Sequence, residues 1–305
     1  MTYPPCLGNL KLPTEVEFSY LTGTFLLYQA AATVKTVPTA VRRLHTLILT
    51  EMFMVGCKRC EVFFTDSSSS KCLRYMYPTV LPYQGNRKGK AKPPLLEPLK
   101  QRVQGMSYTE HPDGIEMDWA FEEEADDRII ARSIELGSNC IVSSGDKDLR
   151  LTPAPYWEAK TASVHYITDR FGDIWWTGEG STPVKGHGSK FFWTQMLMGD
   201  TADNVRGIAR YNGKLCGPRG AFEALVGLTD ESECANHVVA AYAKINQDVL
   251  AEAQCLWLRR STDDSGFKYL MEVVTIPSLR DWLQQLHDYH IALLRLKQDQ
   301  VDETY

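Results

Sequence analysis

The chain has 305 residues, 44% of them hydrophobic and 23% charged, with a net charge of −5. Those figures exclude a disordered or low-complexity chain and allow one large domain or two of ordinary size. They also withhold the basic footprint usual in nucleic-acid binders, although seven acids sit in three short clusters that a metal would partly neutralise.

No apolar run reaches the length of a bilayer span; the stretch around Phe25 to Ala32 is short and interrupted by Gln29. The first fifteen residues lack the basic-then-apolar order of a secretory signal, so a cytoplasmic chain with no membrane partner is expected. Its eight cysteines are then expected as thiols.

Val16 to Leu21 alternates apolar and polar residues, Thr22-Gly23-Thr24 turns, and Phe25 to Ala32 reads as a helix, the opening of an α/β domain. Ala40 to Met54 repeats Val41, Leu44, Leu47, Ile48 and Met52 at helical spacing. Cys57 and Cys60 have zinc-ligand spacing, but no second pair follows at finger distance, and two thiols near a helix end is the preferred reading. Glu61 to Thr65 predicts a strand that ends at Asp66. This succession predicts a mostly parallel central sheet flanked by helices, with ligands gathered at the carboxyl ends of its strands.

From Ser67 to Gln104 the composition turns to serine, glycine, proline and lysine with scattered tyrosines, which predicts a long excursion rather than a core element. Lys71 and Arg74 follow the serines, then Tyr75, Tyr77 and Tyr83. Gln84 to Gln104 holds Glu97 as its only acid and includes Arg87, Lys88, Lys90, Lys92, Lys100 and Arg102. Cations interleaved with aromatics suit a mobile element that binds phosphates and stacks bases.

Glu124-Ala125-Asp126-Asp127 opens a predicted helix through Arg128 to Ile134 that stops near Gly137. Glu124 and Asp127, three apart, share a helical face. Asn139 to Ser144 predicts a short buried strand, after which Asp146 and Asp148 leave an extended chain on one side. Asp200 and Asp203 are again one helical turn apart. Carboxylates drawn together repel one another and suit hard cations, so magnesium or manganese is expected, with room for two ions. Between these clusters, Val164 to Ile167 and Asp173 to Thr177 predict a hairpin.

The last third is helical, with segments near Lys190 to Met198, Gly220 to Val226, Ala235 to Trp257 and Leu279 to Leu296. Gly207 to Ala221 places glycines ahead of a helix, exposing backbone N–H groups that suit a phosphate. Trp175, Trp176 and Trp193 read as core, His187 as a loop residue, and Gly178-Glu179-Gly180 is too little for a nucleotide fingerprint.

The ordered motifs E-A-D-D, S-G-D-K-D-L and M-G-D-x-x-D-N, followed by G-P-R-G-A, resemble the flap endonuclease and 5′-to-3′ exonuclease family, especially its bacteriophage and bacterial polymerase-associated members. Phe64-Thr65-Asp66 matches that family's second acidic position, and Tyr83-Gln84-Gly85-Asn86-Arg87 its segment before the arch. The resemblance implies a PIN-like α/β nuclease core over residues 1–189, with an arch near 67–104. It also implies a helical DNA-binding part over 190–305 with a helix-hairpin-helix near 199–226. Asp66, Glu124, Asp126 and Asp127 would organise one Mg2+ or Mn2+ ion, Asp148, Asp200 and Asp203 a second, and Asp146 would lie near both. Lys71, Arg74 and Arg87 would steer the scissile phosphate. Tyr83, Lys88 and Lys90, with Gly207, Gly213, Lys214, Gly217, Arg219 and Gly220, would contact DNA, the hairpin with a K+ ion. The partners implied are DNA with 5′ ends, flaps or RNA primers, and a replication polymerase, in the cytoplasm of a bacterial host if the chain is phage-encoded.

The sequence departs from the family twice. Thr22 stands where the first strand ordinarily ends in aspartate, and Gln84 where many relatives carry lysine. Losing the first charge weakens an ion site or alters its spacing, which keeps a second reading open: a catalytically weakened DNA-structure binder on the same fold. A metal phosphatase for small molecules also explains paired carboxylates, but not the basic aromatic excursion.

Overall fold

A strand, a glycine and a helix open the described part of this computed structural model, which comprises residues 18–151, 153–159, 161–167, 169–178 and 183–302. The chain forms two compact units, one from the residues up to Ser69 with Ala91–Thr168, the other from Ser70–Lys90 with Asp169–Tyr305.

In the first unit β1 (Phe18–Thr22) runs directly into α1 (Gly23–Ala31). The junction needs glycine: a Cβ on Gly23 would come within 2.3 Å of the Phe64 ring. The expected strand from Val16 begins partly outside the described residues. Helix α2 (Val37–Val55) is capped by Thr36, which accepts the Thr39 N–H, and ends at Gly56 in left-handed backbone at φ 72°. Its Ala40, Leu44, Ile48, Met52 and Val55 are buried, the stripe the sequence spacing predicts.

Strands β2 (Arg59–Thr65), β3 (Ile115–Ala120), β4 (Cys140–Ser143), β5 (Tyr156–Glu158) and β6 (Ser163–His165) complete a sheet in the order β3-β2-β1-β4-β5-β6. All its pairings are parallel except β5 with β6. Sequence reading missed β3, although Ile115, Met117 and Trp119 alternate with polar residues. Helix α4 (Ala125–Leu136) packs its buried Ile129 and Ile130 toward β1, β2 and β4, as expected, and ends at Gly137.

Two expectations are corrected here. The stretch 67–104 is not one excursion: α3 (Leu96–Gln104) buries Leu96, Leu99 and Val103 beside α1 and α2, because its apolar residues fall at helical spacing. Residues 70–90 instead belong to the second unit. Nor do residues 164–167 and 173–177 form a hairpin. The first of these segments pairs with β5, and β7 (Asp173–Trp176) pairs with β8 (Val184–His187).

The second unit centres on α5 (Gly188–Met198), buried along nearly its whole length. Around it lie α6 (Pro218–Leu225), α7 (Glu231–Lys244), α8 (Val249–Leu256) and β7 with β8. The single helix expected from Ala235 to Trp257 is two. Asn246 takes a left-handed turn at φ 51°, and Asp248 caps α8 by accepting the Ala251 N–H at 2.9 Å. Helices α9 (Gly266–Val273) and α10 (Pro277–Asp302) close the unit, with Trp257 stacked on Tyr269 at 3.6 Å. Trp193 is fully buried, as expected, whereas Trp176 is exposed. No helix among the described residues is long and apolar enough to cross a membrane.

Candidate metal and nucleic-acid site

Parallel strands deliver the first unit's acids to one end of the sheet. Asp66 follows β2, Glu124, Asp126 and Asp127 follow β3 at the start of α4, and Asp146 and Asp148 follow β4. Several of these carboxylates are already held by local donors. Asp66 accepts the Ser68 hydroxyl at 2.6 Å and N–H at 2.8 Å on Oδ1, and the Gln104 amide at 3.0 Å on Oδ2. The Ser68 bonds, the side-chain one foremost, hold its carboxyl below the usual range. Asp127, 1% exposed, turns back to accept the Glu124 N–H at 3.1 Å, capping its own helix. Asp146 accepts the Asp148 N–H at 2.9 Å, and Lys147 lies 3.2 Å from the Asp148 carboxylate.

The expected first-ion set is therefore not gathered. Among the described residues, no three acids of this unit bring oxygens within 4.8 Å of one another. Capping accounts for Asp127, and the Ser68 and Gln104 donors for Asp66. Ser68 and Gln104 carried no sequence signal beyond being neutral and polar. The zinc reading of Cys57 and Cys60 also lacks support: both thiols are buried, and no group of metal ligands forms there among the described residues. Beside β4, a cavity of about 310 Å³ is lined by Phe25, Glu51, Ser143, Arg150, Tyr156 and Glu158. Burial pushes the Tyr156 hydroxyl up to about 12.

In the second unit Asp200 and Asp203 offer oxygens within 4.8 Å of one another. Asp200 is 5% exposed; it accepts the Ala202 N–H at 2.8 Å and the Gln195 amide at 3.1 Å, both neutral donors. Its backbone pairs with Val205 in both directions, at 2.9 and 2.8 Å. Asp203 Oδ1 receives Arg87 Nη2 at 2.6 Å and Gln84 Nε2 at 2.9 Å. Gln84 Oε1 in turn accepts from Lys71 Nζ at 2.6 Å. Asn86 donates to the Thr201 carbonyl at 2.7 Å, while its own side-chain oxygen is buried without a donor.

This donor set fits a hard divalent ion. It consists of carboxylate oxygens, one of them on a buried side chain, with an orphaned amide oxygen nearby, and it contains no thiolate or imidazole.

The expected phosphate and DNA residues divide by exposure. Arg74 is 1% exposed, with Nη2 donating to the Trp257 carbonyl at 2.9 Å and Nε to that of Gln254 at 3.3 Å. Tyr83 is also buried, so neither reaches a phosphate or a base. Lys88, Lys90, Lys214 and Arg219 are exposed, Arg219 beside Glu223 at 2.9 Å. Gly207 is required sterically, since at φ 67° a Cβ would lie 2.4 Å from the Gly199 nitrogen. Gly213 closes a two-residue turn with Asn212, both left-handed, and a Cβ on Gly213 or Gly217 would meet no atom within 4 Å. Gly220 lies in the first turn of α6, near only Cys216.

No family model and no curated protein matches the chain. Among solved structures it is similar to a bacteriophage T5 protein co-crystallised with metal ions, at 16% identity and TM-score 0.47, covering 92% of this chain and 98% of that one. A bacteriophage T5 flap endonuclease in a pseudo-enzyme–product complex with DNA and metal ions is similar at 14% and 0.45, over 92% and 98%. A Holliday junction-resolving enzyme with product DNA and Mg2+ follows at 12% and 0.35, over 88% and 60%.

Proposed function

We propose that the chain is a divalent-cation-dependent nuclease that hydrolyses DNA phosphodiester bonds at 5′ ends, flaps or RNA primers, in phage-type replication or repair alongside a polymerase. The observation that carries this reading is the delivery of Asp66, Glu124, Asp126, Asp127, Asp146 and Asp148 to the carboxyl ends of parallel strands. Strand ends of that kind are where such sheets place their ligands. Buried Asp200 and half-buried Asp203 add a pair in the second unit.

When bound, magnesium or manganese supplies water activation and stabilisation of the leaving oxygen. Asp66, Asp146 and Asp148 in the first unit, and Asp200 and Asp203 in the second, are the residues proposed to hold such ions. Glu124 and Asp126 support the first set from the start of α4, and Asp127 acts by fixing that helix start. Lys71 and Arg87 offset charge on the phosphate. Lys88, Lys90, Lys214 and Arg219, with the N–H groups around Gly213, Gly217 and Gly220, grip the DNA backbone, and a K+ ion joins them at the turn after Gly207.

The test is cleavage of a 5′-labelled flap duplex with Mg2+ and then Mn2+, beside Asp146→Ala. Release of labelled product by the wild type and its loss in the variant is the expected result. No release with either ion from any flap or duplex end would refute the reading.

Thr22 favours a second reading, a DNA-structure binder with weakened chemistry. It ends β1, which lies between β2 and β4 in the sheet, and it stands where the resembled family carries aspartate. Binding without cleavage, converted to cleavage by Thr22→Asp, would select it.

A further inference from the structure

Lys71 and Asp203 carry opposite charges and are joined through a neutral side chain. Gln84 Oε1 accepts from Lys71 Nζ at 2.6 Å, and Gln84 Nε2 donates to Asp203 Oδ1 at 2.9 Å and to the Tyr83 hydroxyl at 3.2 Å. The partners settle which way the amide points, because an ammonium only donates and an ionised carboxylate only accepts. The backbone doubles the link: the Gln84 N–H donates to the Asp203 carbonyl at 2.7 Å. Around it, Asn86 donates to Thr201 and Arg87 to both Ala202 and Asp203, so residues 84–87 are tied to residues 201–203 at every position but Gly85.

The local backbone is strained where the bridge ends. Lys71, at φ 48°, and Gln84, at φ 52°, both occupy left-handed backbone without being glycine, and Cys72 and Leu73 continue the left-handed run at 55° and 60°. Such conformations persist where surrounding contacts over-determine them, and they concentrate at functional sites.

We propose that Gln84 is a positioning residue of this site, its carboxamide setting the separation between the Lys71 ammonium and the Asp203 carboxylate. The inference rests on the nuclease reading above for the roles of those two groups. A lysine at this position would add a cation beside Lys71 and Arg87, and a glutamate would set a carboxylate against Asp203. The carboxamide satisfies both ends at once. Asparagine carries the same groups one methylene short.

The experiment compares wild type with Gln84→Asn and Gln84→Met. Three quantities are read: flap cleavage resolved into kcat and KM, the thermal midpoint, and Mn2+ affinity without DNA by electron paramagnetic resonance. Both variants are expected to lose about tenfold or more in kcat with KM within about threefold, and to bind Mn2+ about tenfold more weakly. Gln84→Asn should keep the wild-type thermal midpoint, because asparagine tolerates left-handed backbone. Wild-type kcat and Mn2+ affinity in both variants would overturn the inference. A loss in Gln84→Asn that merely follows a fall in thermal midpoint would also overturn it, leaving Gln84 a structural residue. If the wild type cleaves with neither ion, the nuclease reading fails on its own, and Mn2+ affinity then decides: weakened in both variants it sustains the positioning role, unchanged it refutes it.

Discussion

The Arg74 guanidinium donates to the carbonyl of Trp257, 183 residues further along the chain, and the Arg74 carbonyl receives the Cys255 thiol at 3.5 Å. A cation that reads in the sequence as a phosphate ligand is thus a buried tie between the 70–90 segment and the end of α8. Arg74→Met should cost about 2–4 kcal/mol in chemical denaturation, because it strips donors from buried carbonyls. DNA affinity of the folded fraction should be unchanged; a selective loss of affinity at unchanged stability would contradict this placement.

Lys88 and Lys90 behave in the opposite way. Both are exposed, so Lys88→Ala and Lys90→Ala should leave stability within about 0.5 kcal/mol. If each meets a phosphate, each should lower the slope of log affinity against log salt by about one. Salt titration of duplex binding reads this directly.

Gly207 and Gly217 should separate folding from DNA contact. Gly207→Ala forces a Cβ against the Gly199 backbone and a side chain into φ 67°, and should destabilise by about 1–3 kcal/mol or more. Gly217→Ala meets open space, so its thermal midpoint should hold while DNA affinity falls if that backbone faces phosphate. Melting curves and binding isotherms on the two variants are sufficient.

Acid should weaken the first unit through His45 and His111. Their rings meet at 3.2 Å between Nε2 and Nδ1. Burial foremost, then the neighbouring histidine for His45 and Arg102 against the opposing pull of Glu110 for His111, holds both below their ordinary 6.5. A depressed folded-state value means that stability is present above 6.5 and is lost as pH falls through the lower folded values. The thermal midpoint should therefore drop below about pH 6.5, and drop less in a His45→Gln, His111→Gln double variant. Parallel profiles for the two proteins would refute this.

Much of the architecture was legible because it is written in local periodicity. Leu44, Ile48 and Met52 mark α2 one turn apart, and the apolar run from Cys140 to Val142 marks β4. Where local signals competed, the reading failed. Leu96, Leu99 and Val103 were masked by the surrounding basic and proline residues, and Asn246 ended a helix that apolar spacing alone continued.

By itself the sequence determined the parallel α/β class, the helical last third and the order of the acidic clusters, since strand and helix periods and carboxylate spacing are properties of neighbouring residues. Only the tertiary structure decided what each charge does. Arg74 is spent on backbone carbonyls and Asp127 on a helix cap, while Gln84, which in sequence looks like a lost charge, joins Lys71 to Asp203. A charged or amide side chain reads the same whether solvent, phosphate or a distant carbonyl satisfies it, and burial by residues far along the chain settles which one does.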